Sequence, residues 1–115
     1  MGKYSEIGLY KPIYELYRLT QQFVAKMDRA YRFSLGGKLV DSLNEIIKLT
    51  SLANNSLRNK EPYLADALST LEIAKIQFRV ANDLKLISTG SYALVIRHLD
   101  SIGKQINGWY SSVRK

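Results

Sequence analysis

Residues 62–87 read PYLADALSTLEIAKIQFRVANDLKLI, and two apolar lines run through them. Leu64, Ala67, Leu68, Leu71, Ala74, Phe78 and Ala81 recur at steps of three and four, which puts side chains on one face of a helix. Ile73, Ile76, Val80, Leu84 and Ile87 make a second line, on roughly the opposite side at about 100° per residue. One line is enough to seat a helix on its own core. A second line requires a second burial partner: another subunit, or a deeper position within the same bundle. In a chain of 115 residues another subunit is the expectation, with these five residues as the predicted oligomer interface. Glu72, Lys75, Arg79 and Asp83 run between the lines as a polar edge with pairings at three and four residues.

The same period extends outward in both directions. A first helix is predicted from about Pro12 to Met27, on the stripe Ile13, Leu16, Tyr17, Thr20, Phe23, Val24 and Met27. Pro12 and Pro62 are placed in first turns, where a missing N–H has no helical partner to lose. Asp28 to Phe33 reads as a turn, and Ser34 as the N-cap of a second helix reaching Leu57 through Leu39, Leu43, Ile46, Ile47, Thr50 and Ala53. The third helix is the one quoted, 62–87. Ser88, Thr89 and Ser91 offer caps for a fourth, 91–113, with Tyr92, Val95, Ile96, Leu99, Ile102, Ile106, Trp109, Tyr110 and Val113 on a near-heptad seam. Gly103 lies inside that seam, where a glycine marks close helix packing. Four amphipathic segments with short connections predict an all-α fold, an antiparallel up-down-up-down four-helix bundle spanning 1–115 as one domain.

Charge narrows the partners. There are 17 Lys and Arg against 10 Asp and Glu, a formal +7 and a pI near 9.7. A polyanion is the first partner to expect, because each cation lying along nucleic acid releases counterions. The basic residues are dispersed, so a binding patch has to be assembled by folding or by several copies of the chain. No apolar run approaches the roughly 18 residues that span a bilayer, and Met1 to Glu6 lacks the apolar stretch of a secretory signal. The expected setting is the cytoplasm, without a membrane.

Chemistry-bearing groups are few. Cysteine is absent, which removes disulfides, thiolate metal sites and cysteine nucleophiles. His98 is the only histidine, so motifs that need two are excluded and no metal site or cofactor is expected. Neither a G-x-S-x-G elbow nor a phosphate-binding glycine loop occurs. Ser91, Tyr92 and Ala93 stand where an Arg-x(4–6)-His ribonuclease motif would need its arginine. The chain therefore reads as a non-enzyme. Among the aromatics, Tyr17, Tyr92 and Tyr110 fall on apolar stripes, whereas Tyr10, Tyr14 and Tyr31 do not, and Tyr31-Arg32-Phe33 reads as a contact loop.

Several segments together resemble a known family: Tyr10-Lys11-Pro12-Ile13-Tyr14, Tyr31-Arg32-Phe33-Ser34-Leu35-Gly36, Arg79-Val80-Ala81-Asn82-Asp83-Leu84-Lys85, and Ile102-Gly103-Lys104-Gln105-Ile106-Asn107-Gly108-Trp109. In order and spacing they are similar to the accessory variability determinants of diversity-generating retroelements. Gly37 departs from the pattern, standing where the family often has a charged or polar residue. The resemblance implies a four-helix protein that assembles into a ring of five and binds a reverse transcriptase and nucleic acid in mutagenic retrohoming. By matching position it implies contacts through Arg79, Lys85, Arg97 and Lys104, with Arg29 and Arg32 behind them. All six are basic and off the core stripes. The alternative is the similar four-helix proteins encoded in ribosomal-RNA intervening sequences. Leu43 to Thr50 lacks the proline-containing segment typical of those proteins.

Overall fold

The computed structural model describes residues 6–114; the Met1–Ser5 part of the segment read for a signal lies outside them. Among the described residues the chain is all-helical and contains no strand. Four long helices, α1 (Glu6–Val24), α3 (Gly37–Asn55), α4 (Lys60–Asp83) and α5 (Thr89–Val113), are joined by short connections. The first connection holds a single helical turn, α2 (Arg29–Tyr31), that runs into a π-helical stretch, Arg32–Gly36. α1 packs against α3 and α5, and α4 packs against the same two helices. The predicted stripes are the buried ones: Leu16, Leu39, Leu64, Phe78, Val95 and Ile102 are all completely buried.

The boundaries depart from expectation for identifiable reasons. α1 begins six residues before Pro12, which sits inside the helix and not at its start. A proline there leaves the Gly8 carbonyl without its helical donor. Burial of Leu9 and Ile13 on the core offsets that loss and holds the extra turns. The turn is Ala25–Asp28, not Asp28–Phe33: the Asp28 carbonyl accepts from the N–H groups of both Tyr31 and Arg32 at 2.9 Å, so helix resumes at once. Ser34 is not an N-cap; its hydroxyl donates to the Ala30 carbonyl at 2.7 Å from within the π-helical stretch. α3 ends at Asn55, where the Lys60 ammonium caps the Ala53 carbonyl at 2.8 Å and the Asn54 carbonyl at 3.3 Å. α4 ends at Asp83, four residues short of the prediction. There the Leu86 N–H donates to the Ala81 carbonyl and the Lys85 N–H to the Asn82 carbonyl, both at 2.9 Å, with Lys85 left-handed at φ 60°. Ser88 does cap α5, accepting from the Ser91 N–H at 3.1 Å.

Two adjacent glycines occupy opposite situations. A Cβ on Gly36 would meet Val24 Cγ1 at 2.9 Å and the Tyr31 carbonyl oxygen at 3.3 Å, while one on Gly37 would meet nothing within 4 Å. Gly37 is also right-handed helical, with φ −61° and ψ −40°. Gly36→Ala should therefore destabilise the fold by about 1–3 kcal/mol through overpacking. Gly37→Ala should stabilise it by about 0.5–1 kcal/mol through the backbone. Thermal unfolding of the two variants should show shifts of opposite sign.

Candidate functional site

The π-helical stretch decides which way the connector faces. Arg32 lies seven residues before Leu39 and eleven before Leu43, so an unbroken α-helix would point its guanidinium at the core. The π-helix adds a residue without adding a turn and rotates everything upstream by about 100°. Arg32 is accordingly exposed, with its guanidinium donating to the Met27 carbonyl at 3.2 Å. Arg29 lies 5.9 Å from the centre of the Phe33 ring, and Phe33 is 74% exposed. Phe23 meets Phe78 edge-on at 6.1 Å, and Val24 lies against Gly36. The end of α1, this connector and the last turns of α4 thus lie together, and Lys85 follows directly on that end of α4.

The charge distribution follows the same division. In α1, Lys11 and Arg18 balance Glu6 and Glu15, and in α3, Lys38 and Lys48 balance Asp41 and Glu45. α4 holds one more acidic residue than basic, and α5 one more basic than acidic. The helix sides are close to neutral, so the excess positive charge sits in the connections and terminal residues. Lys26, Arg29 and Arg32 outnumber Asp28 between α1 and α3, and Lys85 stands unopposed between α4 and α5.

The six predicted contact cations therefore occupy three places. Arg29, Arg32 and Lys85 share one end. Arg79 lines a shallow groove of about 270 Å³ between α4 and α5, with Tyr92, Ile96 and Asp100 across from it. Its guanidinium is 4.0 Å from the Asp83 carboxylate, and both groups are solvated, so the pair contributes at most about 1 kcal/mol. Arg97 and Lys104 lie on the exposed side of α5, away from its buried seam of Val95, Leu99, Ile102 and Ile106. Of the five predicted interface residues, Ile73, Ile76, Val80 and Leu84 are exposed at 53, 65, 39 and 46%. Ile87 departs from the set: it lies beyond the end of α4 and is buried in the core.

One feature escaped the reading of the residues. An open groove of about 680 Å³ runs between α1 and α3, lined by Tyr10, Ile13, Tyr14, Tyr17, Asn44 and Ile47 among others. Tyr10 and Tyr14 stack in it with ring centres 5.9 Å apart. The spacing of Tyr10, Tyr14 and Tyr17, at i, i+4 and i+7, carries the signal for a tyrosine face beside the core line. Further along α1, Arg18 donates to Glu15 at 2.9 Å and holds that carboxyl below its ordinary range. A carboxyl pKa lowered by folding contributes stability at neutral pH that fades as pH falls through the acid range.

A family model described as bAvd-like matches residues 9–113. The chain belongs to the bAvd-like family. No curated protein and no solved structure matches it. Among its described residues no helix is long and apolar enough to cross a membrane.

Lys85 gives this bAvd-like chain a local test. A lysine in left-handed conformation costs roughly 1–2 kcal/mol that glycine does not. Lys85→Gly is expected to raise the unfolding midpoint by a few degrees, with a net gain of about 0.5–1 kcal/mol. Lys85→Ala should bring no such gain.

Proposed function

We propose that this bAvd-like protein is a non-catalytic accessory subunit of a diversity-generating retroelement in the cytoplasm. In this reading it binds the reverse transcriptase and nucleic acid, template RNA or cDNA, through a basic surface built by several copies, and supports mutagenic retrohoming. Each copy is an antiparallel up-down-up-down four-helix bundle forming one domain. Two contacts support that topology: Gly8, early in α1, against Gln105, late in α5, and Ser42, early in α3, bonded to Gln77, late in α4.

The observation that carries the reading is the outer side of α4. Ile73, Ile76, Val80 and Leu84 stand in solvent on a helix whose other side is fully buried, which is the pattern of an association surface. Near-neutral helix sides favour side-by-side association, because little like charge is brought together. A closed ring of five would carry about +35. Arg79, Lys85, Arg97, Lys104, Arg29 and Arg32 are the proposed contacts to nucleic acid or to the reverse transcriptase.

Absolute mass by light scattering should come out near five times 13.1 kDa, and Ile76→Asp or Val80→Asp should reduce it to that of one chain with helical content unchanged. A wild-type monomer would remove the pooled-charge reading. Arg79→Ala and Arg97→Ala should weaken binding of nucleic acid or reverse transcriptase while the assembly persists. Affinity for nucleic acid should fall steeply with salt; salt-insensitive binding would count against phosphate contacts.

A further inference from the structure

We infer that the connector Arg29–Gly36 is a stacking platform for single-stranded nucleic acid, with Phe33 as the ring and Arg29, Arg32 and Lys85 as its phosphate-facing cations. The inference rests on the nucleic-acid reading above and adds the strand class and the residue that selects it.

Three independent features coincide here. Phe33 is 74% exposed, the highest value among the described aromatic residues that stand out from the core, with the Arg29 guanidinium 5.9 Å from its ring centre. An apolar ring held in water on an ordered helical segment loses free energy until something flat covers it. The π-helical stretch sets this orientation: one inserted residue turns Arg32 off the core line and carries the connector outward. The third feature is charge, since the cations in excess over Asp28 cluster here while the flanking helices are near neutral.

These features favour a single strand over a duplex. In a duplex the base faces are covered by their neighbours, so an exposed ring has nothing to stack on. In a single strand each base offers a face to Phe33, and Arg29, 5.9 Å from the ring centre, provides a cation for the phosphate of the stacked nucleotide. The proposed contacts are to base faces and phosphates, so little sequence preference is expected. RNA and DNA single strands should bind alike.

The test uses the full chain and labelled oligonucleotides about 20 nucleotides long, as RNA, as single-stranded DNA and as duplex DNA, with affinity read by fluorescence anisotropy. Phe33→Leu should weaken single-strand binding by roughly tenfold and leave duplex binding within about a factor of two. Phe33→Trp should retain single-strand affinity, and the new exposed indole should be quenched on binding, separately from Trp109, which is buried. Because the Phe33 side chain is exposed, circular dichroism of both variants should match the wild type. If Phe33→Leu loses helix, the quenching of the Phe33→Trp indole decides instead, and an unquenched indole overturns the platform. Equal loss for single strand and duplex on Phe33→Leu, or no loss, also overturns it, while wild-type binding leaves the accessory reading standing. Wild-type protein that binds no oligonucleotide removes both.

Discussion

Two interleaved rows on α4 govern the rest of the molecule. Leu64, Leu71 and Phe78 repeat at seven residues, as do Ala67, Ala74 and Ala81 beside them, and none is more than 1% exposed. The alanine row lets neighbouring backbones approach, and the large row fills the space between them. Gly103 is the counterpart on α5, close enough that an added Cβ would come within 3.2 Å of Leu71. Leu64, Leu71 and Phe78 are all fully buried, so truncating any of them would leave a cavity, a change that costs about 2–5 kcal/mol.

The tight rows also explain what α4 leaves outside. Its buried residues occupy a narrow arc, so α3 and α5 pack on its flanks while, among the described residues, Ile73, Ile76 and Val80 on its far side stay exposed. Ile73, Ile76 and Val80 remain there, edged by Glu72, Lys75, Arg79 and Asp83. A helix with an apolar outer face and a polar margin resembles the core and rim of a protein interface. The proposed assembly therefore follows from how efficiently the chain packs its own interior with small residues.

The connector between α1 and α3 makes a similar trade. Gly36 presses on Val24 to bring the two helices together, and the π-helical stretch before it accommodates the extra residue. Packing is satisfied on one side by Met27, Val24 and Leu39, all buried. On the other side the same stretch presents Arg29, Arg32 and Phe33 to solvent. Structure and candidate function use the same irregularity from opposite faces.

Most of the helical organisation was legible in the sequence, because a 3.6-residue period is a local property. The stripes on all four helices, the Ser88 cap and the close packing at Gly103 come from spacing and side-chain size alone. The exposed second line on α4 was also readable, except for Ile87. Its period continues past Asp83, but the chain turns at Lys85 and carries it into the core. What only the tertiary structure decided were the outcomes of competition between local preference and packing. Pro12 sits within a helix because Leu9 is buried beyond it, and Ser34 bonds backward to Ala30 because helix had already resumed at Arg29. The tyrosine groove needs α3 beside α1, and the grouping of Arg29, Arg32 and Lys85 needs the ends of α1 and α4 to meet. The sequence by itself determined the helices and the faces they bury. Which exposed residues become neighbours depends on distances between segments far apart in the chain, and no local period encodes those.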